Sequence, residues 1–482
     1  MTALKAQGLR RLLAGARRAL PFLILAEASL LAAEPADPYL WLEDIEGERA
    51  LAWVEAQNRE SEVRLTADPR FSAIEAAAYA VYAATDRIPY ARQAGQRMLN
   101  FWQDESHVRG LLRSAELKAY LAGEPQWEVL LDLDQLAEAE GENWVYKGAE
   151  CLEPDASRCL LRLSRGGSDA VTLREFDLGA KRFVTDGFVS SEAKQSVAWL
   201  DADRLLIAKA GDGFRATDSG YGAELRLWHR GEPIKSSQVL LEVPSDHVAV
   251  GGAVVRNALG TFPFAVDSPT FFEETVYALG DASEGEGAPK ELPLPEDVDW
   301  RGLFQDRLIG LTRSEWHPKP DTAGEPVPAG ALFSVPLRDL LAGRLASVEV
   351  LVSPTARRAV SDVRVGRSSL YVSVTEDVVM QLLELRPQKT GWSRQAVPLP
   401  ENGSLSIVSA NSHSDLALVN FEAFLKPDTL YAFTLDKAPH PVAQLPARFD
   451  AAKLSARQTF ATSSDGVKVP CFVIAPSFRL DD

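Results

Sequence analysis

A serine hydrolase of the α/β type carries its nucleophile in G-x-S-x-G, because small flanking residues let the strand-to-helix turn close. The nearest approach in this chain is Gly166-Gly167-Ser168-Asp169-Ala170. It lies between two β-like runs, Cys159 to Leu163 and Val171 to Asp177, with no helical pattern after it, so it reads as a hairpin loop. The histidines, His107, His229, His247, His317, His413 and His440, form no H-E-x-x-H or other metal spacing. His317 and His440 adjoin prolines and read as loop residues; His413 sits in a polar turn. Asp132 and Asp134 alternate at a strand end, as carboxylates often do in an acidic chain, and single out no glycosidase. Gly211-Asp-Gly-Phe and Gly251-Gly252 are turns of a β region, not phosphate loops that open a helix. No catalytic, cofactor-binding or metal-binding residue is therefore assigned, and no cofactor is expected.

Three cysteines are few. Cys151 and Cys159 flank a turn between two expected strands and could bridge across it in an oxidising compartment; in the cytosol they would be two plain thiols. Cys471 alternates with Val469 and Val473 and reads as a small buried hydrophobe. The N-terminus is basic (Lys5, Arg10, Arg11, Arg17, Arg18), then apolar from Ala19 to Ala26, then rich in small residues. That order is that of a secretory signal peptide over 1–33, which places the protein in the periplasm or outside the cell. The alternative is an over-long start on a cytoplasmic protein. A net charge of −17 argues against a nucleic-acid or anionic-membrane surface. No stretch reaches the roughly 18 apolar residues of a membrane span.

The elements that must position any site change character along the chain. Over 38–84, Leu51, Trp53 and Val54, then Phe71, Ile74, Ala78 and Val81, recur at helical spacing, with Asp68-Pro69 as the break. From about Pro89 the period falls to 2. Asp203-Arg-Leu-Leu-Ile, Asp306-Arg-Leu-Ile-Gly, Ser368-Ser-Leu-Tyr-Val and Ser414-Asp-Leu-Ala-Leu-Val are versions of one strand start. Equivalent strands fall near Gln96, Arg158, Asp203, Val250, Asp306, Ser368 and Ser414, at the spacing of four-stranded propeller blades. The fold expected is mainly β, a seven-bladed β-propeller over 89–455 behind a helical segment over 34–88. An irregular pair of β-sandwiches is the alternative. A short helix is expected between Pro336 and Leu345. The chain then closes on a strand, an Asp465-Gly466 turn and a second apolar strand, the signal of one further hairpin.

Several motifs together carry a family resemblance. Asp37-Pro-Tyr-Leu-Trp-Leu-Glu-Asp44 with Ala52-Trp-Val-Glu-Ala-Gln-Asn58 resembles the N-terminal signature of the prolyl oligopeptidase family of serine peptidases. Asn100-Phe-Trp-Gln-Asp104, Trp127 to Asp134, Leu163 to Ala170 with Arg174-Glu-Phe176, and Asp218-Ser-Gly-Tyr221 continue the likeness. Ser464-Asp-Gly-Val-Lys-Val-Pro470 is similar to the strand pair at which that family re-enters its peptidase domain. The resemblance implies a propeller that covers an α/β-hydrolase domain. It implies cleavage of short peptides after proline by a Ser-Asp-His triad, and a propeller that excludes folded proteins. The family's triad lies beyond its counterpart of the closing hairpin, so none of it has a matching position here. Residues 456–482 accordingly read as the truncated start of the hydrolase domain, and the chain as catalytically silent alone. Its expected partners are short peptides and the missing hydrolase domain. The alternatives are a peptide- or protein-binding propeller, and a peptidase completed in trans by a separate hydrolase domain.

Overall fold

The computed structural model describes residues 37–280, 284–318 and 325–479; the expected signal segment lies outside them. The described residues up to Tyr79 form one compact unit and those from Ala80 onward a second. In the first, the helix α1 (Glu48–Thr66) opens on Glu48 and closes on Arg64, charges that suit the helix dipole. Before it, Trp41 meets Trp53 edge-on with centroids 6.1 Å apart, and Arg49 lies 4.0 Å over the Trp41 ring. Asp68 accepts from the Arg70 backbone N–H at 2.9 Å and sets the break before α2 (Phe71–Tyr82). Leu51, Trp53, Val54, Val63 and Leu65 of α1 are all exposed, and only Ala50 is buried.

The second unit is built from seven antiparallel sheets followed by a two-stranded hairpin. Each sheet is a meander of consecutive strands: blade 1 spans 92–132, blade 2 144–193, blade 3 195–242, blade 4 249–291, blade 5 298–352, blade 6 358–396 and blade 7 404–444. Blade 2 adds a fifth strand, Val189–Ala193, beside its third. The fold is thus the seven-bladed propeller expected, with few helices. The strand starts recognised in the sequence are the second strands of their blades, except Val250, which lies on the first strand of blade 4 (Ala249–Asn257). Two helices went unanticipated, α3 (Leu117–Leu121) and α4 (Leu133–Glu140); α5 (Leu337–Leu341) was expected.

A blade is sandwiched between two neighbours, so its middle strands are buried on both faces and read as nearly continuous apolar runs. Leu370 to Val374 in blade 6 is one such run, buried throughout. Small polar residues in these runs are satisfied locally: buried Ser334 accepts from Arg307 Nε at 3.0 Å. The apolar core is correspondingly divided into seven clusters, one between each pair of adjacent blades. First strands of neighbouring blades contact one another, which places them innermost, around the channel. Blade 4 comes so close to blade 3 that a Cβ on Gly252 would lie 2.6 Å from Leu206 Cβ.

Among the described residues no strand is shared between the first and last blades. Their seam is held by side chains, with Ile88, Ala91, Met98 and Tyr120 packed on Leu416, Leu418, Leu430 and Ala432. The Gln93 N–H also reaches Ser409 Oγ across it at 3.4 Å.

The topology defines two faces. The chain enters blade 1 and leaves blade 7 on one face, here called proximal, which also carries every turn between second and third strands. First-to-second turns lie on the opposite, distal face. On the proximal side Arg448 pairs with both oxygens of Asp86, at 2.8 and 3.1 Å, and joins the segments that lead into and out of the ring. The hairpin Leu454–Thr462 and Lys468–Pro476 follows, its turn made by Gly466 at φ +86°.

Candidate functional site

The proximal face, the channel and the distal mouth are the places where a propeller handles a ligand, and the side chains of each follow from the blade geometry. On the proximal face the closing hairpin rests on blades 6 and 7. Gln458 Nε2 donates to the Asp377 carbonyl at 2.5 Å, Phe472 packs on Phe424 with centroids 5.1 Å apart, and Arg357 lies 5.2 Å over the Phe460 ring. The rest of the hairpin is apolar and open to water: Val467, Val469, Val473, Ile474 and Phe478 are all exposed. Cys471, expected to be buried, is only half so, and its neighbours on the same side of the strand, Val469 and Val473, are exposed.

Across the ring, the proximal turn of blade 4 presents Phe271 and Phe272, 82 % and 68 % exposed. Arg313 lies 5.5 Å over the Phe272 ring and 3.5 Å from Asp299, which pairs with Arg301 at 2.7 Å. Burial, and then the Asp299 charge, raise the Glu274 carboxyl above its ordinary range in this cluster. In blade 3 the buried Lys209 donates to Ser190 Oγ and to the Ser191 carbonyl, at 3.3 and 3.0 Å, and pairs with Asp212 at 3.0 Å. Ser191 Oγ sits 2.5 Å from Lys209 Nζ and donates to Asp212. A serine–lysine dyad needs a lysine free to take the proton. This one is held by a carboxylate, and the group ties the strand Val189–Ala193 to blade 3.

The candidate residues from the sequence are dispersed. Ser168 occupies the hairpin loop between the second and third strands of blade 2, where its hydroxyl meets Ser164 Oγ at 3.3 Å. Asp132 is not simply a strand-end carboxylate: it caps α4 by accepting from the Gln135 N–H at 3.0 Å. Asp134, in the first turn of that helix, accepts from the backbone N–H groups of Arg109 and Gly110. Five histidine rings each face one carboxylate: His107 with Asp104, His229 with Glu232, His247 with Asp267, His317 with Glu315 and His413 with Glu153. None of these pairs is completed by a serine hydroxyl or a thiol among the described residues. His440, read as a loop residue, instead opens the last strand of blade 7, His440–Gln444. Among the described residues no group of three His, Cys, Asp or Glu side chains is arranged to hold a metal. Among the described residues no helix is long and apolar enough to cross a membrane.

At the distal mouth, Cys151 and Cys159 are directly opposed in the register of blade 2 and form a disulfide. Inside the channel Glu150 is reached by water yet hemmed in by the wall on most sides, and this enclosure raises its carboxyl, with Arg92, Arg162 and Arg256 opposing. No local sequence signal pointed to this group, because its members come from separate blades. The arrangement as a whole can bind, orient and exclude; the described residues do not assemble a bond-cleaving site.

Residues 28–445 match the model of the N-terminal β-propeller domain of prolyl oligopeptidase. The chain belongs to the prolyl oligopeptidase family. It is 35% identical over 449 residues to the uncharacterized peptidase y4nA of Sinorhizobium fredii, a match that covers 92% of this chain and 61% of the relative. Protease 2 of Moraxella lacunata is 22% identical over 465 residues, again with 61% of its length covered. Among solved structures, the post-proline cleaving enzyme from Rickettsia typhi superposes with a TM-score of 0.81 at 25% identity, over 91% of this chain and 64% of that one. Oligopeptidase B from Leishmania major shares the fold, with a TM-score of 0.68 at 14% identity. The chain therefore spans about three-fifths of the length of the curated relatives it matches. Within the family, the matched range ends at residue 445, so the exposed hairpin at 454–476 falls outside the propeller model.

Proposed function

We propose that this chain is the substrate-selecting part of a serine peptidase that hydrolyses short, proline-containing peptides, with the bond-cleaving chemistry supplied by an α/β-hydrolase domain seated on the proximal face. The observation that carries this reading is the hairpin: it sits on blades 6 and 7 through Gln458 and Phe472, while Val469 and Val473, on its other side, stay exposed as a face of the kind another sheet covers. The propeller then acts by size, admitting a peptide and refusing a folded protein. Export to the periplasm or beyond is part of the proposal, supported by the basic-then-apolar order of residues 5–26 and by the Cys151–Cys159 pair.

The test is reconstitution. The part of the Sinorhizobium relative that this chain does not cover, produced separately, is assayed on a chromogenic prolyl peptide and on the same sequence displayed in a loop of a folded protein. With the present chain added, turnover of the short peptide is expected while the loop is spared; the chain alone is expected to stay silent. Equal cleavage of both substrates with and without the chain would refute the selecting role.

A further inference from the structure

The distal turns of a propeller ordinarily touch only the blades beside them. Here the loop 410–416, between the first and second strands of blade 7, does more. Ser412 Oγ donates to the Arg256 carbonyl of blade 4 at 2.5 Å, and His413 Nε2 meets Glu153 Oε2 of blade 2 at 3.0 Å. Blade 4 is three places from blade 7, as far as a seven-membered ring allows, and blade 2 is two places away. A short loop that reaches both has to cross the axis.

Its anchorages are themselves fixed. The loop is folded on itself, with the His413 N–H donating to Asn411 Oδ1 at 3.0 Å and the Leu416 N–H to Ser414 Oγ at 3.1 Å. At its foot Tyr371 of blade 6 donates to the Asp415 carbonyl at 3.1 Å. Glu153 stands in the turn closed by Cys151–Cys159, and that turn is pressed on blade 1: a Cβ on Gly95 would lie 2.8 Å from the Asp155 carbonyl oxygen. Arg92 of blade 1 donates to the Ala149 carbonyl at 2.9 Å. Arg256, whose carbonyl takes Ser412, donates through Nη2 to the Trp199 carbonyl of blade 3 at 2.6 Å, and Trp199 Nε1 donates to the Glu150 carbonyl of blade 2 at 2.9 Å. Below the loop remains a cavity of about 240 Å³ between Arg92, Gln93, Glu150, Glu153, Asn411 and His413.

We infer that loop 410–416 is a cross-channel clasp: it shuts the distal mouth and, by tying blade 7 to blades 2 and 4, holds the ring closed across the seam that no shared strand bridges. The bonds to blades 2 and 4 bypass that seam, so the ring cannot part between blades 7 and 1 without breaking them. Traffic through the channel is then confined to the proximal face. The clasp is a property of the ring and does not depend on the peptidase reading.

Hydrogen exchange on the full chain tests this. The Gln93 amide, bonded across the seam, and the amides of Ser404–Ser409 report on the 7–1 seam; those of Val298–Phe304 report on the 4–5 seam as an internal reference. In Ser412→Ala/His413→Ala the 7–1 amides are expected to exchange at least about tenfold faster, from two lost hydrogen bonds, with the reference unchanged. Arg386→Ala is the control, since Arg386 pairs with Asp436 between blades 6 and 7 at 2.7 Å, outside the loop, and spans no axis; it is expected to leave the seam as it was. Unchanged seam exchange in the double variant, or an equal rise in the control, would overturn the clasp. Should the double variant fail to fold, Glu153→Gln keeps the shape, removes only the charge, and is read in the same way.

Discussion

Glu175 offers the sharpest test of how two blades are locked together. Its side chain is fully buried in blade 2, yet it carries a charge. Arg158 Nη1 approaches one oxygen at 3.2 Å; Arg230 of blade 3 donates to both, at 2.8 and 3.1 Å; and the Phe188 N–H donates to Oε2 at 2.8 Å. Four donors converge on one carboxylate, which offsets its loss of water. Glu175→Ala leaves two guanidinium groups and a backbone N–H without it. Breaking a buried pair from one side costs about 3–5 kcal/mol. Glu175→Gln keeps the shape and an acceptor for Phe188 and is expected to cost less, about 2–3 kcal/mol, since hydrogen bonds to a charged group lose part of their strength. A unit of this size need not unfold in one step, so local exchange is the better assay. The Glu175 amide, bonded to the Phe188 carbonyl at 2.9 Å, is expected to exchange roughly one hundred to four thousand times faster in the alanine variant. Replacing Glu175 and Arg230 together by methionine should cost less than the two single changes summed, because no lone charge remains. A rise of under about fivefold in Glu175→Ala would refute the reasoning, since the carboxylate would then be carrying less than an exposed pair does.

Two further outcomes are expected. On the distal face, burial pushes the Asp415 carboxyl up, but its hydrogen bonds to Arg367 and Ser368 prevail and hold it below 3.8; its stabilising contribution is therefore complete above 3.8 and lost as pH falls through the lower folded value, so Asp415→Asn should lower the thermal midpoint at pH 7 and by progressively less as the pH falls below 3.8. Cys151→Ser/Cys159→Ser releases a loop with a sequence separation of 8, which chain entropy values at about 2.6 kcal/mol, to be read as a shift in denaturation midpoint that a reductant reproduces in the parent and not in the variant.

The propeller was legible because burial on both faces writes the same apolar run into the second strand of each blade: Arg204–Lys209, Arg307–Thr312 and Leu370–Glu376 each follow a polar turn. Blade 4 misled for a physical reason. Its first strand, Ala249–Asn257, is long and apolar because it packs closely on blade 3, so it imitates a second strand. The helices α3 and α4 are five and eight residues long, too short for a periodic pattern to declare itself, although Asp132 before Leu133 is a capping signal in hindsight. The clasp was illegible altogether. His413 and Glu153 are 260 residues apart, and each alone is an ordinary polar turn residue. The closing hairpin was readable from Asp465-Gly466, but that its apolar side would stand in water was not.

A ring that selects by size must resist parting and still let peptides pass. Sharing a strand between first and last blades would stiffen both ends of the seam alike. Here the sheets are drawn from consecutive strands, so closure falls to side chains, and these are distributed unevenly. The distal end has the clasp, the disulfide-bound turn and a chain of hydrogen bonds through Arg256, Trp199 and Glu150. The proximal end has Asp86 and Arg448, whose side chains are 49% and 63% exposed, and exposed pairs contribute little. Stiffness is therefore graded along the axis. The weaker closure lies where the chain enters and leaves the ring, which is the face that carries the hairpin and the exposed Phe271 and Phe272, and the face where, on the proposed function, a peptide and a hydrolase domain meet.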